Sequence, residues 1–225
     1  MRSKAIPPIS ASAYIYLIKG IGLSRAVGHT PDGRKDVDVA DAIRARRALR
    51  AFDERPVEKE KVSALIEAMR LAPSCNNNQP WRVVVCRDPE SLAKARSALS
   101  KGNAWGTTAP LIFVVAAKLE DDCHPSDSRD YFLFGCGLAV GQMCLMAVDL
   151  GLVAHPVAGY DPLIHKHELG IPDEYVVITT IMIGYPGTDL SMLSDKQKMQ
   201  QTIRPERKPV GENFFEGKWG VPSQG

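Results

Sequence analysis

Apolar residues recur with two different periods along this chain, and the alternation of those periods predicts its elements. Residues 58–71 carry Val62, Leu65, Ile66 and Met69 at i, i+3, i+4 and i+7, one stripe of an amphipathic helix. Ala72-Pro73 ends it, because proline disfavours helical geometry in the residue before it. Residues 37–47 predict a second helix, with Val39, Ala42 and Ile43 on one face and Asp36 or Asp38 as its cap. Residues 82–86 and 111–117 are short runs rich in Val and Ile and predict buried strands, with a helix over 89–99 between them. Residues 120–130 are acidic and contain Pro125, so they predict a loop. Residues 131–150 are apolar nearly all round and stop at Gly151, as expected of a helix buried in a core or a subunit interface. Strands are predicted over 152–157 and 175–183, and beyond Gly187 the chain is a polar, proline-punctuated tail. Helices alternating with short apolar strands give an α/β or α+β class with one central sheet.

Charge and cysteine content narrow the classes. Lys+Arg is 28 and Asp+Glu is 26 in 225 residues, a net charge of +2 that gives no reason to expect nucleic acid or an anionic membrane as partner. The five cysteines (75, 86, 123, 136 and 144) contain no C-x-x-C pair, which excludes zinc-ribbon and thioredoxin-type motifs. Three of them lie in apolar stretches, so a reduced, cytoplasmic protein with buried thiols is expected. The apolar run at 13–18 is too short for a secretory signal or a spanning helix. Residues 1–36 therefore read as an N-terminal extension, with a linker over 20–36, that packs on the body or on a partner chain.

Four segments are candidates for chemistry. Arg46, Arg47 and Arg50 place three guanidiniums within five residues, either as an anion site or as a solvated basic helix end. Residues 72–81, Ala-Pro-Ser-Cys-Asn-Asn-Asn-Gln-Pro-Trp, form a carboxamide-rich loop between a helix and a strand. Such a loop suits a planar heterocycle with alternating donors and acceptors, or is an asparagine-rich turn; the flanking prolines and Trp81 favour a fixed binding shape. Gly159 either allows a close backbone approach to a ligand or simply ends a strand. Arg204 to Pro209 is either a binding segment or a solvated tail. Gly135, Gly137 and Gly141 are spaced one residue too long for a dinucleotide fingerprint and suit close helix packing instead. His165 and His167 would face apart on a helix, and Cys123-His124 stands by itself in a polar loop, so no metal site is expected.

Taken in order, Arg46 to Phe52, Pro56-Val57, Ala72 to Trp81, Pro156 to Tyr160, Ile183 to Pro186 and Arg207-Lys208-Pro209 resemble the nitroreductase family of FMN-dependent oxidoreductases, over roughly residues 37–209. The resemblance implies an α+β fold with a central mixed sheet flanked by helices, a single FMN-binding domain over 37–225, and an intertwined homodimer. Its seam would be the 131–150 helix. It implies that Arg46, Arg47 and Arg50 hold the FMN phosphate and ribityl end, with Ala48, where the family often has Ser, contributing backbone only. Pro73, Ser74, Cys75 and Asn77 would reach the flavin from the other subunit. Ala158 and Gly159 match a Glu-Gly pair; Ala158 removes a side chain near the ring, and the Gly159 N–H would face flavin N5. Arg207 matches a phosphate-binding arginine. Pro205 stands where a lysine sometimes lies, with Arg204 or Lys208 as its replacement.

The implied activity is NAD(P)H-dependent hydride transfer at flavin N5 to a small acceptor such as a nitroaromatic or a quinone, with no catalytic side chain, because the flavin carries the chemistry. Rival readings are a specialised flavin enzyme of dehalogenase or flavin-cleaving type and a non-catalytic flavin store. The N-terminal extension would lie over the partner subunit.

Overall fold

Seven consecutive apolar residues with no polar face can only sit where both sides are covered, and the strand Leu111–Ala117 (β2) does so, every residue being buried. The computed structural model describes residues 37–223, so the expected extension over 1–36 lies outside the described residues. β2 is central in a sheet ordered β1-β2-β4-β3, with β1 at Arg82–Cys86, β3 at Val153–Val157 and β4 at Val176–Gly184. Leu111, Phe113, Val115 and Ala117 face one core, and Ile112, Val114 and Ala116 face another, as the two-residue period of a strand requires. On β4, Ile181 and Ile183 join the first core and Met182 the second. A register shift between Val115 and Ala116 inserts Ile178, so Val177 enters the second core against the simple alternation.

All three pairings among the described residues are antiparallel, which corrects the expected mixed sheet. β2 and β3 do run parallel, joined by a crossover helix. β4 comes last in the chain and slots between them, pairing antiparallel with both. The parallel relation therefore exists without a parallel ladder.

The helices are α1 (Val39–Ala45), α2 (Lys59–Arg70), α3 (Pro89–Ser97), α4 (Phe132–Asp149), α5 (Pro162–Leu169), α6 (Asp195–Thr202) and α7 (Val210–Asn213). α2 buries Val62, Leu65 and Met69 against α4 and β2, each worth roughly 1.5–3 kcal/mol of apolar burial. Ile66, expected in that stripe, is 44% exposed, as are Val39 and Ile43 of α1 in larger measure. α4 turns Phe132, Cys136, Ala139, Met143 and Ala147 into the first core. Its opposite face leaves Leu133 and Phe134 exposed, and a Cβ on Gly137 or Gly141 would meet open space. α4 is also the one helix among the described residues long and apolar enough to cross a membrane, and its inward face is core.

α5, α6 and α7 fall where no helix was expected. α5 starts at Asp161, whose carboxylate accepts from the backbone of Leu163 and Ile164, with Pro162 at its first position and left-handed Gly170 at its end. α6 lies in the supposed tail and starts with a capping box, Ser194 and Gln197 bonding each other's backbone.

Candidate functional site

The basic segment is not a helix end, as the spacing first suggested. α1 stops at Ala45, the Arg46 N–H still bonding the Ala42 carbonyl, and residues 46–50 carry no regular secondary structure. Three contacts hold this run in place. Buried His155 of β3 donates from Nδ1 to the Leu49 carbonyl at 2.9 Å. Phe52 bridges Pro186, with Asp53 N–H to the Tyr185 carbonyl at 3.0 Å and Gly187 N–H to the Ala51 carbonyl at 2.9 Å. A Cβ on Gly187 would come within 2.4 Å of the Phe52 carbonyl carbon, so only glycine allows this approach. The Tyr185-Pro186-Gly187 stretch thus serves to anchor the arginine segment.

Arg46, Arg47, Ala48 and Arg50 line a cavity of about 200 Å³, closed from the other side by Gln200, Arg204, Pro205 and Arg207. Five guanidiniums and no carboxylate line it. Two of the five are occupied by backbone. Arg47 donates to the carbonyls of Gln200 (2.8 Å) and Thr202 (3.4 Å), at the negative pole of α6. Arg204 donates to the carbonyls of Arg44 and Arg46. Among the described residues the guanidiniums of Arg46, Arg50 and Arg207 make no hydrogen bond or ion pair; Arg50 lies over the Trp105 ring, 5.8 Å from its centroid. Burial lowers the pKa of Arg50 from its usual value, so the fold disfavours a charge that nothing here neutralises. Burial also pushes His155 down to about 4, so its imidazole is neutral beside these cations.

Five of the expected site residues therefore meet in one cavity: Arg46, Arg47, Ala48, Arg50 and Arg207. Of the two residues expected to replace the missing lysine, Arg204 lines this cavity, whereas Lys208 pairs with Glu212 at 3.5 Å. Gln200 is an addition to the residues expected from sequence; the S-x-x-Q signature at 194–197 that starts α6 is the signal for it, masked by the polarity of the segment around it.

Pro73, Ser74, Cys75 and Asn77 do not line that cavity. Their loop holds three non-glycine residues in left-handed geometry, Asn76 (φ 47), Asn77 (φ 60) and Gln79 (φ 51). Such residues cost of order 1–3 kcal/mol each and cluster where surrounding contacts fix a functional shape. Here the Ser74 hydroxyl accepts from Gln79 N–H at 2.9 Å, and the Gln79 side chain donates to the Asn77 carbonyl at 3.0 Å. Asn76 and Asn78 turn their amides toward Cys123 Sγ, at 3.6 and 3.7 Å. Asn77 is exposed, and its carboxamide makes no hydrogen bond among the described residues, so it is the asparagine left for a ligand.

Cys75 and Cys123 form a disulfide, which corrects the expectation of an all-reduced chain. Spacing rules miss it because the pair is 48 residues apart in sequence and only the fold brings the Cα atoms to 6.2 Å. Cys86, Cys136 and Cys144 are free and buried as expected, and burial raises their thiols to about 11, 12 and 11.

Ala158 and Gly159 also lie outside the arginine cavity. A Cβ on Gly159 would come 2.4 Å from Asn103 Nδ2 and 2.7 Å from Ser100 Oγ. A side chain at 159 would therefore force Asn103 or Ser100 to shift, and the Gly159 carbonyl accepts from Asn103 Nδ2 (2.9 Å) and Ser100 N–H (3.1 Å). Its N–H is in no hydrogen bond among the described residues.

Known proteins resemble this chain in sequence and in fold. A protein of Thermus thermophilus named NADH dehydrogenase is 28% identical over 183 residues, covering 68% of this chain and 89% of that one. A Bacillus subtilis protein named FMN reductase [NAD(P)H] is 26% identical over 165 residues, covering 66% of each. A solved structure described as an oxidoreductase containing FMN superposes with a TM-score of 0.71 at 28% identity, covering 88% of this chain and 99% of that one. The model of the nitroreductase family matches residues 43–104 and 100–185, well over half of the sequence, and the chain belongs to that family.

Proposed function

We propose that the chain is an FMN-dependent NAD(P)H oxidoreductase acting on nitroaromatics, quinones or related small acceptors. The observation that carries this reading is the set of unpaired guanidiniums in one cavity, Arg46, Arg50 and Arg207, with Arg47 and Arg204 pinned beside them. A phosphate monoester brings about −1.5 to −2 charge at neutral pH and three acceptor oxygens, the complement of five guanidiniums. An FMN-containing solved relative and a relative named FMN reductase [NAD(P)H] support the same cofactor and donor.

Bound FMN would supply the hydride chemistry at its N5. The chain's own part is to hold and orient. Arg46, Arg47, Arg50 and Arg207 bind the phosphate end, with Ala48 backbone beside it. The unused N–H of Gly159, next to Ala158, is free to donate to the ring. Pro73, Ser74, Cys75 and the free carboxamide of Asn77 form the opposite wall. Because that wall does not line the arginine cavity of its own chain, a second copy provides it. The exposed apolar face of α4, with Leu133, Phe134, Gly137 and Gly141, is the seam of the homodimer. A specialised enzyme of the dehalogenase or flavin-cleaving type needs a substrate lid, and the loop over 120–130 is short for one. We place the protein in the cytoplasm, where NAD(P)H is available.

The test is an absorption spectrum of the purified protein with FMN, before and after anaerobic NADH or NADPH. A bound flavin band that bleaches supports an enzyme. A flavin band that neither donor bleaches leaves a storage protein, and a colourless protein that takes up no FMN defeats the proposal.

A further inference from the structure

We propose that Cys75 and Cys123 are a reversible redox pair, opened by dithiols, whose state sets the shape of the asparagine loop. The pair joins residue 75 of that loop to the segment before α4, and both cysteines are only half-buried, whereas the other three thiols are sealed in the cores.

The surroundings of the two sulfurs are built for the open form. Asp122 is 5% exposed, and its Oδ2 is buried with no hydrogen-bond partner. Its carboxylate and both sulfurs lie within 4.8 Å of one another. In the disulfide form neither sulfur has a hydrogen to give that carboxylate. In the dithiol form the Cys75 S–H can donate to it. The amides of Asn76 and Asn78 lie 3.6 and 3.7 Å from Cys123 Sγ, and Asn78 Nδ2 also donates to Asp122 Oδ1 at 3.3 Å. A thiolate accepts such N–H bonds far better than a disulfide sulfur does, so Cys123 is the better leaving group.

The reaction follows from that asymmetry. One thiolate of a dithiol attacks Cys75 Sγ, the S–S bond breaks, and Cys123 leaves with the electron pair. The second thiol of the reductant, deprotonated, displaces Cys75 and becomes part of a disulfide. Cys75 then takes a proton and donates S–H to Asp122. Two electrons pass from the dithiol to the pair. A disulfide of this kind, reversible and sensing, is the usual form in a reducing compartment.

Opening the pair removes the covalent restraint on a loop holding Asn76, Asn77 and Gln79 in left-handed geometry. Resting on the proposed function, this links thiol state to FMN affinity through Asn77.

The experiment uses the full chain in two independent arms. In the first, native protein is equilibrated at graded ratios of reduced to oxidised dithiothreitol, alkylated, and mapped by mass. Cys75 and Cys123 should label together at an intermediate ratio while Cys86, Cys136 and Cys144 stay unlabelled. Asp122→Asn should shift that ratio by about tenfold toward the disulfide. A pair that stays closed in excess dithiol, or labels without any, overturns the proposal. So does reduced protein that retains Zn²⁺ and shields both thiols, which would make the cluster a metal site. In the second arm FMN affinity is measured by fluorescence on oxidised protein, reduced protein and C75S/C123S. The last two should bind about tenfold more weakly than the first. Affinity that ignores thiol state overturns the link to the loop. Protein that binds FMN in neither state defeats the proposed function, while the labelling arm still judges the redox pair.

Discussion

Replacing Arg50 by Gln separates a ligand-binding arginine from a structural one. The Arg50 guanidinium lines the cavity, has no acceptor among the described residues, and shares the space with four other guanidiniums. Its backbone N–H bonds Gln201 Oε1 at 2.8 Å, and the substitution leaves that bond in place. In the ligand-free chain the loss is the cation–π contact to Trp105, about 0.5–1 kcal/mol. The gain is relief of a partly buried charge whose pKa burial already lowers. These nearly cancel, so the apo Tm should move by no more than about 2–4 °C, the shift that 1 kcal/mol gives a chain of this size. With FMN the balance changes. A charge-assisted hydrogen bond to a phosphate is worth about 1.5–3 kcal/mol. At 1.4 kcal/mol per decade this raises Kd by about 10- to 150-fold. Flavin fluorescence titration measures Kd, and calorimetry of apo and FMN-loaded protein measures the two Tm values. A Kd within about threefold of the parent together with a large fall in apo Tm would show that Arg50 supports the fold and not the phosphate.

Further outcomes follow from other parts of the structure. Gly159→Ala drives a Cβ to 2.4 Å from Asn103 Nδ2 and should lower stability by about 1–3 kcal/mol in urea unfolding; an unchanged midpoint would mean that the loop yields freely. His155 and His165 are buried and pushed down to about 4, below the unfolded value near 6.5, so the unfolded chain binds more protons between those values. Stability is therefore complete above pH 6.5 and lost on acidification toward pH 4, on the order of 3 kcal/mol per histidine, and a flat urea midpoint across that window would contradict it. Phe134→Asp, on the exposed face of α4, should give monomers by sedimentation that no longer retain FMN, and an intact dimer would move the seam elsewhere.

The sequence carried the sheet well and the cavity unevenly. All four strands lie within a residue or two of their apolar runs, because buried strands need apolar residues on both faces and that requirement is local. The α2 stripe placed Val62, Leu65 and Met69 inward but could not decide Ile66, which sits at its edge and whose burial depends on what packs alongside. The arginines were legible as an anion site, yet not the non-helical path of residues 46–50. That is imposed from residues 155 and 185–187, more than a hundred positions away. The disulfide and the burial of Asp122 were invisible for the same reason: each depends on two loops meeting in space. α6 is the different case, since its capping box was written locally and was obscured by the polarity of everything after it.

That polarity makes α6 the point where helix stability and ligand binding are coupled. None of its residues is buried, so tertiary packing gives it little and the Ser194–Gln197 box is its main local support. Yet its C-terminal end positions three of the cavity's walls: the Gln200 and Thr202 carbonyls hold Arg47, Gln201 holds the Arg50 backbone, and the chain leaving it delivers Arg204 and Arg207. Ser194→Ala lies outside that cavity lining and removes a cap worth about 1 kcal/mol. If fraying of α6 and assembly of the cavity are one equilibrium, the lost stability appears as weaker FMN binding, up to about fivefold in Kd, with the effect shrinking as FMN saturates and holds the helix in place. Hydrogen exchange of the α6 amides, with and without FMN, reads the same coupling from the other side. Exchange that quickens in Ser194→Ala and slows on adding FMN fits one equilibrium. Quickened exchange with an unchanged Kd would mean that the arginines hold their places without the helix, and that the polar C-terminal segment follows the cavity instead of building it.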